Sequence, residues 1–179
     1  MDQQAQLSGL KVSHLMSANV ITIEEHDSVS FVIKVFDRCH ISGAPVVNSN
    51  GEYVGVISKT DLFDKRLLEF LKQHGSLDDL PVRYIMSDNK PMAVPETTTV
   101  ERASEVMLNN HIHRIFVKDA FDRIIGVVSS YDILRVVAGN HPQQLPQQPS
   151  GGNVATIKEQ QILNIREQLN KNKAKQQGR

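Results

Sequence analysis

A single cysteine, Cys39, stands among the 179 residues of this chain, so no disulfide can form within it and a reducing compartment is expected. Neither sign of charge is in excess: 20 Lys and Arg balance 20 Asp and Glu, for a formal net charge of +0. No global field therefore draws the chain to nucleic acid or to an anionic membrane. No apolar run approaches the roughly 20 residues of a membrane-spanning helix. The N-terminus, Met1-Asp-Gln-Gln-Ala-Gln, has neither the basic nor the apolar region of a signal peptide, and the expected location is the cytoplasm. Walker-type loops, dinucleotide glycine fingerprints and zincin helices are missing too. Nothing assembles a nucleophile, a base and oxyanion donors, so the chain is not read as an enzyme and no catalytic residue is assigned.

What the chain does have is repetition. Residues 21–63 align without a gap on residues 92–134, at a fixed offset of 71, the separation of Gly55 and Gly126. His40 falls on His111, Ile41 on Ile112, Val46 on Val117, Ser58 on Ser129 and Asp61 on Asp132. Each copy ends in the same signature, Gly-Val-(Ile/Val)-Ser-x-x-Asp. Repetition redefines the folding unit as a tandem pair, since a unit this small leaves apolar faces uncovered by itself.

The pattern divides the chain into a polar N-terminus at 1–11, a first repeat at 12–75, a second at 76–139, a linker at 140–153 and a helical tail at 154–179. In the first repeat, Val20–Ile23 reads as a strand, and Asp27 or Ser28 caps a helix over Val29–Cys39 with Val29, Val32, Ile33 and Phe36 on one face. Strands follow at Ala44–Val47 and Tyr53–Ile57 around an Asn48–Gly51 turn, then a helix from about Ser58 to Gly75. The second repeat gives strands at Met92–Val94, Ile115–Val117 and Ile124–Val128, with helices over Val100–Leu108 and Ser130–Val137. The fold class expected is α+β (α/β-like), with two strand-helix-strand-strand-helix repeats.

Three prolines and two glycines keep residues 140–153 from forming a helix. In the tail, Ile162, Ile165 and Leu169 follow 3-then-4 spacing over two turns, short of a coiled-coil signal. Such a tail is either a solvent helix or one that docks on a partner or on a second copy.

The tandem copy, Ser42-Gly-Ala-Pro-Val-Val, the endings Gly55-Val-Ile-Ser-Lys-Thr-Asp61 and Gly126-Val-Val-Ser-Ser-Tyr-Asp132, and the openings His14-Leu-Met-Ser17 and Tyr84-Ile-Met-Ser87 together resemble cystathionine-β-synthase (CBS) domains. A pair of these is called a Bateman module. The resemblance covers about residues 12–136 and implies a pseudo-two-fold pair with two clefts that take adenosine-containing ligands. The regulatory ligand implied is AMP, ADP or ATP, with S-adenosylmethionine as a further candidate, and no other cofactor. The implied role is sensing: ligand binding changes the geometry of the pair and is passed to a partner. A homodimer is expected, with an unidentified protein partner at the tail; nucleic acid and membrane are not expected partners. The alternative is a dimerising scaffold that needs no nucleotide and recruits a partner through its C-terminal helix.

Adenosine asks for particular chemistry. Two adjacent ribose hydroxyls suit an ionised carboxylate, and Asp61 and Asp132 are candidates. Phosphates suit hydroxyls and N–H groups at a helix start, as Ser58 with Thr60, or Ser129 with Ser130, would supply. Apolar positions such as Ile21, Ile41, Pro45, Val46, Met92, Ile112, Phe116 and Val117 would wall the purine slot. The same Ser-x-x-Asp is also a capping box, in which the aspartate returns to the serine N–H.

Carried over from the family, one cleft uses Thr22, Ser42, Ser129 and Asp132 with His113, and the other uses Asp61, Ser58 and Thr60 with Arg114. Ala93 stands where the first repeat has Thr22, Phe116 where it has Pro45, and Tyr131 where it has Thr60. The two sites are therefore expected to be unequal, with the Asp132 site the better supported. His111-x-His113 lacks a third metal ligand, and no metal is assigned. His40 and His111 are expected at helix C-termini.

Overall fold

A computed structural model describes residues 9–18, 20–139 and 153–177. The expectations for residues 1–8 and 140–152 lie outside these. The chain divides into two compact units, Met1–Val20 with Met92–Gly152, and Ile21–Pro91 with Asn153–Arg179.

The second of these units, which contains most of the first repeat, holds strands β1 (Ile23–Glu24), β2 (Gly43–Val47) and β3 (Tyr53–Ser58) in the order β1-β2-β3. β1 runs parallel to β2, and β2 antiparallel to β3. Helix α1 (Val29–Arg38) begins at Ser28, whose hydroxyl accepts from the Phe31 N–H. Asp27, the other candidate cap, instead accepts from the Glu24 N–H at 2.9 Å. The buried face of α1 is Val29, Phe31, Val32, Val35 and Phe36, while Ile33, expected on that face, is 39% exposed. The other unit repeats the plan with β4 (Ala93–Pro95), α3 (Val100–Asn109), β5 (Arg114–Lys118), β6 (Ile124–Ser129) and α4 (Ser130–Val137).

One departure concerns the helix expected from Ser58 to Gly75. A short 3-10 turn, Lys59–Phe63, ends at Asp64, and helix α2 (Lys65–His74) restarts there. Asp64 is the cause. Its carboxylate accepts from the Arg66 N–H and pairs with the Arg66 guanidinium, which holds its pKa down at about 2. Arg135 occupies the corresponding place in the second repeat, so α4 runs on unbroken. Gly75 ends α2 with φ 71, the left-handed stop its sequence position suggests.

His40 and His111 also mark stops, through their backbones. Their φ values are 52 and 53. The Ile41 N–H bonds the Phe36 carbonyl and the Ile112 N–H bonds the Met107 carbonyl, the long closing bond of a Schellman cap. Both histidines are exposed, so glycine there loses little contact and relieves the left-handed strain. His111→Gly is expected to raise stability by about 0.5–1 kcal/mol and His111→Val to lower it by about 1–2 kcal/mol. Urea midpoints at unchanged slope would measure both.

The opening motifs are structural. Ser17 pairs with Val127 and Ser87 with Val56, each through two backbone hydrogen bonds of 2.9–3.1 Å. Val12 and Leu15 therefore join the core that contains Val94, Val100, Ile115 and Val117, while Val82 and Ile85 join that of Ile23, Val46 and Ile57. The compact units thus cross the boundary between the sequence repeats. Gly55 and Gly126 permit this approach: a Cβ at Gly55 would strike the Ser87 carbonyl oxygen, and one at Gly126 the Met16 side chain.

The tail forms helix α5 (Asn153–Gln177), and it packs against α1 of its own chain. The expectation of a solvent helix, or one docked on a partner or second copy, is corrected here. Ile165 is fully buried, Leu169 nearly so and Ile162 partly, all in the core of the first-repeat unit. The short apolar stripe is consumed within the chain, and it matches the α1 face so closely that Gln161 reaches the Cys39 thiol and Gln168 accepts from Arg38. No described helix is long and apolar enough to cross a membrane.

Candidate functional site

Each hairpin brings the end of one strand against the start of the Ser-x-x-Asp segment. In the second repeat Arg114 pairs with Ser129, and the Ser130 N–H donates to the His113 carbonyl at 3.0 Å. Asp132 Oδ2 accepts twice from Ser129, from its N–H at 2.8 Å and its Oγ at 2.6 Å. The Asp132 N–H returns to Ser129 Oγ at 3.3 Å. The capping box is formed, and it uses one carboxylate oxygen. Asp132 Oδ1 accepts no hydrogen bond from the described residues, so the cap occupies one oxygen only.

Both Ser129 and Asp132 are half-buried at the N-terminus of α4, where backbone N–H groups lack helical partners. A partly desolvated carboxylate held in place by two donors is prepared to accept from a further pair of hydroxyls. His113 is exposed beside it, and Arg114 is half-buried, with burial pulling the guanidinium pKa below its ordinary value.

The first repeat builds a similar but shorter frame. Gly43 pairs with Ser58, the Lys59 N–H donates to the Ser42 carbonyl at 3.0 Å, and Asp61 Oδ2 accepts from the Ser58 N–H and Oγ, both at 2.7 Å. Ser42, Ser58, Thr60 and Asp61 thus meet at one end of this hairpin. The segment after Ser58 is the 3-10 turn, so Asp61 lacks the aligned dipole of an α-helix that Asp132 has.

Thr22 is exposed immediately before β1. Pro45 is buried in β2 and has no N–H to offer the Ile21 carbonyl, whereas the Phe116 N–H bonds the matching Met92 carbonyl at 2.9 Å. That difference accounts for β1 having two residues where β4 has three. Of the expected purine walls, Val46 and Val117 are fully buried in the cores and serve there instead. His111 and His113 are exposed, and the described residues contain no group of three His, Cys, Asp or Glu placed to hold a metal.

Two features escaped the sequence. The break at Asp64 was signalled by its mismatch with Arg135 inside otherwise aligned repeats. The function of Gly55 and Gly126 as contact points for the opening motifs had no local signal.

Residues 12–68 and 77–139 each match the family model of the CBS domain. The chain belongs to the CBS domain family. An uncharacterised protein of Methanocaldococcus jannaschii is 28% identical to this CBS pair over 153 residues, covering 70% of this chain and 90% of that relative. An inosine-5′-monophosphate dehydrogenase of the same organism is 30% identical over 125 residues, which is 70% of this chain and 23% of that enzyme. Two further relatives from that organism are matched over 43% and 46% of their lengths, so the pair spans under half of several of its curated relatives. Among solved structures, CBSX2 in complex with AMP gives a TM-score of 0.58 at 24% identity, over 73% of this chain and 98% of that one. The CBS domain pair of protein MJ0100, in complex with 5′-methylthioadenosine and S-adenosyl-L-methionine, gives 0.57 at 25% identity, over 70% and 98%.

Proposed function

We propose that this CBS pair is a regulatory module that binds an adenosine-containing ligand, AMP, ADP or ATP, with S-adenosylmethionine as a further candidate, and passes the resulting change to a partner. One observation carries the reading: Asp132 keeps one carboxylate oxygen on Ser129, and the other accepts from none of the described residues at the start of α4. Asp132 takes the ribose hydroxyls, and Ser129 and His113 serve the phosphates. Thr22, Ser42 and Pro45 are further candidate contacts for an adenosine ligand. Asp61, Ser58 and Thr60 form a second and weaker set, and Arg114 is a further candidate for a phosphate contact. Relatives of the same fold solved with AMP, 5′-methylthioadenosine and S-adenosylmethionine support an adenosine ligand. The module regulates and does not catalyse; the match to the dehydrogenase covers a minor part of that enzyme.

A homodimer is part of the proposal. Leu68 and Leu71 on α2 lie three apart and are exposed, as do Tyr131, Leu134 and Val137 on α4, so each helix by itself carries a short apolar row suited to a second copy.

Thermal unfolding with and without each ligand tests the binding. A ligand at a hundred times its Kd adds about 2.7 kcal/mol to stability. At least one of AMP, ADP, ATP and S-adenosylmethionine is expected to raise Tm by several degrees, whereas a Tm unmoved by all four would contradict the reading.

A further inference from the structure

We propose that α5 is a latch that reads ligand contact at Thr22, with Arg166 as the positioning residue that couples the two. The inference rests on the adenosine-binding reading above and extends it to the way the signal leaves the site.

Arg166 is the polar anchor of α5. Its Nη2 lies 3.1 Å from Glu24 Oε1 and 3.0 Å from Asp27 Oδ2, and its guanidinium lies over the Phe31 ring, 5.0 Å from the centroid. Glu24 and Asp27 close the turn between β1 and α1. The Asp27 N–H bonds the Glu24 carbonyl at 2.9 Å, and the Asp27 carboxylate accepts from the Glu24 N–H at 2.9 Å. Thr22, a proposed ligand contact, stands two residues before Glu24, immediately before β1. The turn is also tied to the segment beyond Leu80, because the Val82 N–H donates to the Asp27 carbonyl and the Arg83 N–H to the Glu25 carbonyl. Arg166 thus grips a junction directly continuous with a proposed ligand contact.

Few interactions hold the latch. Among the described side chains of α5, only Ile162, Ile165 and Leu169 enter the core, and Leu163 is more than half exposed. An element with so little apolar anchorage belongs to the low-stability end of a protein, where opening occurs without global unfolding. Burial raises the Asp27 pKa, so its ionised form is held in the turn at a cost that Arg166 offsets only in part. A ligand resting on Thr22 selects one geometry of the β1–α1 turn. That geometry is the one Arg166 grips, so ligand and docked tail stabilise each other, and the coupling acts equally in both directions.

Cys39 provides the readout. It is the one cysteine of the chain, buried at the C-terminal end of α1, with Gln161 of α5 against its thiol. Opening of α5 exposes it to a thiol reagent. The test is the rate of Cys39 modification in the full-length native chain, with and without millimolar AMP, ADP, ATP or S-adenosylmethionine, in the wild type and in Arg166→Gln and Arg166→Lys. Circular dichroism confirms that each variant is folded, and Tm shifts report binding independently.

The ligand that raises Tm is expected to slow modification of the wild type by about fivefold or more. In Arg166→Gln modification is faster without ligand, the ligand-dependent slowing is lost, and ligand affinity falls by a comparable factor. Arg166→Lys restores part of the slowing because it retains the charge facing Glu24 and Asp27. A ligand that raises Tm without changing the Cys39 rate, or an Arg166→Gln chain that keeps the full slowing, overturns the latch and leaves the binding reading standing. A Tm unmoved by all four compounds overturns both.

Discussion

Asp132→Asn is expected to weaken adenosine-ligand binding by about 10- to 100-fold while changing stability by no more than about 1 kcal/mol. The asymmetry follows from the two carboxylate oxygens. Oδ2 is committed to Ser129 through two short hydrogen bonds, and Oδ1, which accepts from none of the described residues, is the acceptor proposed for the ligand. An amide has a single acceptor oxygen. Keeping that oxygen on Ser129 preserves the start of α4 and turns an NH₂ group toward the ribose, so the cap survives and the charge-assisted bonds do not. Asp61→Asn is expected to cost less affinity, because its carboxylate stands on a 3-10 turn that stops at Asp64. Binding isotherms and urea midpoints on the two variants separate these effects. Equal losses of affinity would show that the repeats contribute alike.

Gly55→Ala is expected to cost about 2–3 kcal/mol, the larger of the two glycine effects. The added methyl group meets the Ser87 carbonyl oxygen, a backbone atom whose pairing with Val56 holds the segment that brings Val82 and Ile85 into the core. Relief requires the strand pairing itself to shift. At Gly126 the obstacle is the Met16 side chain, whose thioether can rotate away while its Cβ, 3.0 Å off, must give slightly, and Gly126→Ala is expected to cost about 1–2 kcal/mol. Chemical denaturation measures both. A Gly55→Ala chain as stable as wild type would mean that the opening motif is not held as described.

Local signals were legible in the sequence. Ser28 caps the helix that follows it, Gly75 and Gly51 take positive φ, and the Ser-x-x-Asp boxes form at both endings. These depend on neighbouring residues and a few hydrogen bonds. Features that depend on distant partners were not legible. Met16-Ser17 and Met86-Ser87 read as motifs, but nothing nearby states that they must lie on β6 and β3. The tail stripe of Ile162, Ile165 and Leu169 was visible as apolar, yet its place on α1 depends on Arg38, Cys39 and Glu24, far away in the chain. At the candidate site the sequence left the aspartate with two competing duties. The atomic arrangement commits one oxygen to the cap, and the proposal assigns the other to the ligand.

Isothermal titration of the purified protein with AMP, ADP, ATP and S-adenosylmethionine asks whether the chain holds an adenosine-containing ligand. A saturable isotherm with at least one of the four, strongly weakened in Asp132→Asn, is the predicted result. Flat isotherms with all four, or binding that Asp132→Asn leaves unchanged, would contradict it.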